Sequence, residues 1–99
     1  MGTVPRRDEV LALLAAHKAE LEELGVRSIS IFGSVARDEA GPDSDVDVIV
    51  ELSRPMGFAF FEIERYLEEL LGRKVDVATV NGLHPRLRDR ILSEAIRAA

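Results

Sequence analysis

Residues 26–52 read VRSISIFGSVARDEAGPDSDVDVIVEL, and the fold is decided here. Val26–Phe32 alternates and is rich in β-branched residues, which predicts a strand. Gly33-Ser34 ends that strand and opens a short helical run, Ser34–Arg37. The loop Asp38–Ser44 carries the breaker pair Gly41-Pro42, and Asp45–Leu52 then alternates again as a second strand. Successive strand side chains point to opposite faces, so Val46, Val48 and Val50 line one face, the core. Asp45 and Asp47 share the other, with Cα atoms roughly 6.6 Å apart.

Working outward, Asp8–Leu24 repeats apolar residues at helical spacing (Val10, Leu14, Leu21, Leu24), and Gly25 stands where a left-handed helix cap belongs. After the breakers Pro55 and Gly57, Phe58–Leu71 predicts a second long helix, with Phe60, Ile63, Leu67 and Leu70 on one stripe and Gly72 as its stop. Lys74–Val80 predicts a third strand and Asn81-Gly82 a turn. Pro85–Ala98 predicts a last helix with Leu87, Ile91 and Ala95 facing inward. The order αβαβαβα implies an α/β, two-layer domain with helices covering one mixed β-sheet, because three short strands cannot bury their own faces.

At 99 residues, with 46% apolar and 31% charged side chains, the expectation is one domain spanning residues 1–99. The absence of cysteine excludes disulfides, thiolate metal sites and thiol catalysis, and points to a reducing cytoplasm. A formal charge of −5 argues against direct nucleic-acid binding by the whole-molecule field. The sequence has neither a signal-peptide pattern nor an apolar run of about 18 residues, so a membrane span is not expected.

The chemistry concentrates in residues 33–47. Two carboxylates ~6 Å apart repel by about 3 kcal/mol at an effective dielectric of 20, which asks for a cation. Oxygen-only ligands suggest magnesium, although acids at a strand edge also serve simply to keep it soluble. Asp76, mid-strand between Val75 and Val77, would be costly to bury unpaired. It meets either the same metal or a basic neighbour such as Arg73 or Lys74. If the second and third strands are neighbours, Asp45, Asp47 and Asp76 converge, and three carboxylates around one or two cations suit phosphoryl or nucleotidyl transfer. Gly33-Ser34 can present backbone amides and a hydroxyl to a phosphate, and Arg37 can reach the same anion. Taken separately, Gly-Ser after a strand is also an ordinary turn and N-cap.

The joint pattern resembles the polymerase-beta-type nucleotidyltransferases: Gly-Ser, Asp-x-Asp about ten residues on, and a third Asp on a later strand. It is most similar to the minimal nucleotidyltransferase (MNT) family, whose Gly-Ser-x-Ala-Arg and Ser-Asp-x-Asp are matched by Gly33, Ser34, Ala36, Arg37, Ser44, Asp45 and Asp47. The resemblance implies a mixed β-sheet with helices packed on one side. It implies Asp45, Asp47 and Asp76 as catalytic, metal-binding residues for two Mg²⁺ ions, with Asp76 as third ligand or general base. Gly33, Ser34, Arg37 and Ser44 would bind the nucleotide, ATP. The partner it implies is a small helical HEPN-type RNase toxin encoded nearby, neutralised by AMP transfer to a tyrosine. Two alternatives stay open: an antitoxin that blocks its partner by binding alone, and a nucleotidyltransferase acting on tRNA or a small molecule. Larger relatives bind such acceptors with an added C-terminal domain, so the acceptor surface here is expected from the partner. The chain departs from the family at Asp38, where glycine is common, and at Gly41-Pro42-Asp43, which leaves the shape of this loop open.

Other features are read as structural. His17 and His84 lack a second ligand at metal spacing. Four aromatics, Phe58, Phe60, Phe61 and Tyr66, cannot share one helical stripe, which raises the expectation of a homo-oligomer or partner contact. Arg86, Arg88, Arg90 and Arg97 form either a solvated face or a contact for phosphates or an acidic partner.

Overall fold

The computed structural model describes residues 4–54, 57 and 59–99. Its strands are β1 (Val26–Phe32), β2 (Val46–Leu52), β3 (Val75–Thr79) and β4 (Ile96–Arg97). They form one sheet in the order β3-β2-β1-β4. β1 runs antiparallel to β2 and β4, and β2 runs parallel to β3. The sheet is therefore mixed, as expected, with a fourth strand that the sequence did not announce.

The helices are α1 (Arg7–Ala16), α2 (Lys18–Glu23), the one-turn α3 (Gly33–Ala36), α4 (Ala59–Leu71) and α5 (Pro85–Glu94). Val10 and Leu14 of α1, Leu21 of α2, Val35 of α3, and Ile63 and Leu67 of α4 meet Ile29, Ile31, Val46, Val48 and Val50 of the sheet in one core. This is the valine face anticipated for β2. Among the described residues no helix is long and apolar enough to cross a membrane.

Two boundaries differ from the sequence expectation. The helix predicted over 8–24 is broken at His17, whose N–H donates to the Leu14 carbonyl (3.2 Å) while Nδ1 lies 2.9 Å from the Leu13 carbonyl oxygen. The ring thus takes the acceptor that the main chain of a continuous helix would use. The last helix stops at Glu94 rather than Ala98, because the chain turns extended and pairs with the free edge of β1 at Ser30 and Ile31. The inward face expected of Leu87, Ile91 and Ala95 is realised only in part: Ile91 and Ala95 are half-buried, Leu87 is 48% exposed, and α5 has no fully buried residue. His84 instead has a defined local duty, its Nδ1 accepting from the Arg86 N–H (3.2 Å) to cap α5. On α4, Ile63 and Leu67 are buried while Phe61 is 64% exposed, and Phe58 lies outside the described residues.

Candidate active site

The end of β1, the turn into α3 and the starts of β2 and β3 meet at one corner of the sheet. Asp47 stands opposite Phe32 across the antiparallel pair and opposite Asp76 across the parallel pair. Directly opposed residues share a face, so Asp47 and Asp76 point the same way, and Asp45, two residues back, joins them. Their coupling is electrostatic as well as geometric. Burial raises the pKa of Asp47 above the ordinary carboxylate value, the charges of Asp76 and Asp45 raise it further, and Arg37 partly offsets them. Asp76 itself is exposed. The expectation that burial forces a partner on it is therefore corrected: what ties Asp76 to the corner is its register with Asp47. Among the described residues Lys74 forms no ion pair with it. Nor does any group of three or more His, Cys, Asp or Glu among those residues stand ready to hold a metal.

Gly33 is required here twice over. Its φ of +72° lies in the left-handed region, and a Cβ at this position would run into the Asp47 carboxylate. The strand-to-helix turn thereby brings bare backbone against an acid. Downstream, α3 closes with Asp38 at φ 59°, the Glu39 N–H donating to the Ser34 carbonyl (2.8 Å) and the Asp38 N–H to the Val35 carbonyl (3.0 Å). This is a Schellman stop, with an aspartate in the place that usually takes glycine. It accounts for the departure from the family pattern noted in the sequence.

Arg37 is held by Glu39 (Nε to Oε1, 2.8 Å) and by Glu94 of α5 (Nη1 to Oε2, 3.4 Å). Sequence reasoning missed both acids, and Glu94 left no signal, since 57 positions separate it from Arg37. Ser44 is placed differently from Gly33 and Ser34. Its hydroxyl oxygen accepts from the Gly41 N–H (2.8 Å), and Arg73 donates to its carbonyl (3.2 Å), so it fastens the loop leading to Asp45.

Glycine and serine at a strand-to-helix turn, facing paired aspartates on the next strand and a third on its parallel neighbour, are the arrangement of a nucleotidyl-transfer site. The nucleotidyltransferase domain family model matches residues 14–98, and the chain belongs to this family. The protein adenylyltransferase MntA of Thermococcus cleftensis is 43% identical over 91 residues, covering 90% of this chain and 92% of that relative. A solved structure assigned to the minimal nucleotidyltransferases is 38% identical with a TM-score of 0.77, over 92% of this chain and 94% of that one. Two more distant structures share the fold. One is a toxin-antitoxin crystallised with AMP-PNP (18% identity, TM-score 0.71, 86% of this chain and 72% of that one). The other is a tri-AMPylated HEPN toxin of Shewanella oneidensis in complex with MNT antitoxin (17% identity, TM-score 0.64, 90% and 71%).

Proposed function

We propose that the chain transfers AMP from ATP to a hydroxyl of a protein acceptor, a tyrosine of a HEPN-type toxin, and so acts as its antitoxin. The observation that carries this reading is the Asp47 carboxylate set against the Gly33 backbone and in register with Asp76. Its support from relatives is the adenylyltransferase at 43% identity, together with the occurrence of this fold beside an AMPylated HEPN toxin.

The donor set is oxygen-only, and the pKa of Asp47, raised first by burial and then by the charges of Asp76 and Asp45, includes a repulsion that a divalent cation would relieve, so the chemistry of these residues suits magnesium although they form no ready-made ligand cluster. Asp45 and Asp47 would hold it, Asp76 being left as the general base, and when bound it would supply positive charge against the triphosphate and the departing pyrophosphate. Gly33 leaves main chain open to a phosphate beside Asp47, and the Ser34 hydroxyl donates to a phosphate oxygen. Arg37 adds a cation on the same side, and Ser44 keeps the neighbouring loop closed. Asp76, exposed at the rim, is open to an incoming acceptor. As the acceptor oxygen attacks the α-phosphorus, its proton passes to the Asp76 carboxylate. The bond from that phosphorus to the bridging oxygen breaks, and pyrophosphate leaves.

The test is intact mass spectrometry of a HEPN-type toxin after incubation with the chain, ATP and Mg²⁺. Each AMP adds about 329 Da. The wild type is expected to add such units, and Asp76→Asn, isosteric and at an exposed position, to do so about 10²- to 10⁴-fold more slowly. A wild type that silences the partner with no added mass overturns transfer and leaves binding alone as the antitoxin's mode of action.

A further inference from the structure

The opposite end of the same strands carries the opposite charge. An open groove of about 690 Å³ lies there, lined by Arg27 of β1, Arg54 just after β2 and Arg88 of α5, with Leu52 and Val80 as apolar wall. Among the described residues none of these three guanidinium groups is engaged by an acid. Glu51, the acid in the lining, is already engaged by the Ser28 hydroxyl at 2.8 Å. Next to the groove, α5 has no fully buried residue, only Ile91 and Glu94 being half-buried, and it leaves Leu87 and Leu92 exposed, at 48% and 38%. Exposed leucines on a helix with no fully buried residue are apolar surface that a partner can cover.

We infer that this arginine groove, continued by Leu87 and Leu92, is the surface that docks the protein acceptor, through an acidic amphipathic segment of that protein. The inference rests on the adenylyltransferase reading above for the identity of the acceptor. Charge complementarity selects the segment: in a chain of net −5, three arginines without partners reverse the local sign, and arginine is enriched where partners bind. The exposed leucines select protein over nucleic acid, because a sugar-phosphate backbone gives an apolar side chain nothing to pack against. A long polyanion is also opposed by the overall charge. Position links the groove to the chemistry. Arg88 and Glu94 are six residues apart on α5, about 9 Å of helix, and Glu94 holds Arg37 beside the acids. On β3, Thr79 lines the groove three residues, about 10 Å, from Asp76. A partner seated in the groove can therefore present a neighbouring side chain to the carboxylate corner.

The test uses the double variant Arg27→Glu/Arg88→Glu and the single variant Leu87→Ser, all at exposed positions, with circular dichroism to check the fold. Binding of the HEPN-type toxin is measured calorimetrically at about 50 and about 300 mM salt, and Mg²⁺–ATP binding separately. The double variant is expected to bind the protein at least about tenfold more weakly at low salt, with a smaller gap at high salt and unchanged ATP binding. Leu87→Ser is expected to weaken binding by a similar factor at both salt concentrations. Wild-type affinity in both variants overturns the inference. So does an RNA oligonucleotide of about 20 nucleotides that binds the wild type and not the double variant, or a self-association of the wild type that the double variant abolishes; these assign the groove to nucleic acid or to a second copy of the chain. Docking that fails in the variants while the wild-type chain adds no AMP removes the transfer reading and keeps the groove.

Discussion

At one end of β2 stand Asp45 and Asp47; just past the other stands Arg54. The first end is crowded. Asp47 lies against the Gly33 backbone, faces Asp76 across the ladder and carries a raised pKa from burial and from its two acidic neighbours. The second end is open, its arginines without acids among the described residues and its neighbouring helix without a fully buried residue. On the proposed reading, electrostatic strain is kept where a cation and a triphosphate would relieve it, and uncompensated charge where a partner would meet it. Stability and function should therefore come apart at the acid end.

The largest expected effect comes from Gly33→Ala. The atom that its Cβ would strike is the far end of the Asp47 side chain, which can swing aside, so the fold survives. A left-handed φ for alanine costs about 1–2 kcal/mol. Displacing Asp47 by about 1 Å removes about 10² in rate. Thermal melts and AMP transfer should thus separate, with a modest drop in Tm and a severe loss of transfer. A variant that melts low and transfers normally would make Gly33 a turn residue only.

Next comes Asp47→Asn, read through pH in the absence of metal. A carboxyl whose folded pKa is raised above its unfolded value binds its proton more tightly in the fold, so its ionised form counts against stability. That contribution is absent below the unfolded pKa of about 4, develops as pH rises through the raised folded value, and is complete above it. Asparagine carries no such charge. The Tm of Asp47→Asn relative to wild type should therefore climb through this window and stay high at neutral pH, while transfer is lost. A Tm difference that does not change with pH would mean that neither burial nor the charges of Asp76 and Asp45 raise the Asp47 pKa.

The two ends also differ in how far the sequence announces them. Gly33-Ser34 and Asp45-x-Asp47 are legible because the strand period of two and one short loop fix their geometry locally. Asp76 needed one further assumption, that β2 and β3 are neighbours, which the parallel register supplies. The arginine end was not legible: Arg27, Arg54 and Arg88 are drawn together only by the finished topology, and of these the sequence singled out Arg88 alone, within a charged face. β4 was missed because two residues carry no periodicity, and Leu87, Ile91 and Ala95 imitate a helix that the edge of β1 interrupts. Glu94 escaped notice for the same reason, since it reaches Arg37 only after α5 has folded back on α3.

The smallest effect belongs to Asp38, on the rim of the acid end. Its φ of 59° suits glycine, and the family pattern has glycine here, yet the aspartate has a use of its own. Its Oδ1 accepts from the Arg7 N–H (3.3 Å) at the start of α1, where Arg6 provides no side-chain cap. A helix opens with N–H groups that lack partners, and a side chain from a distant loop is satisfying one of them. Asp38→Gly relaxes the backbone and gives up this cap, so the two changes nearly cancel, within about 0.5 kcal/mol. Asp38→Asn keeps both the tolerance of left-handed φ and the acceptor, and should melt like wild type. Asp38→Ala loses both and should cost about 1–2 kcal/mol, which lowers Tm by roughly 4–8 °C for each kcal/mol in a domain of this size. If glycine proved clearly more stable than aspartate, the cap on α1 would be worth nothing and the loop would be held by its backbone alone.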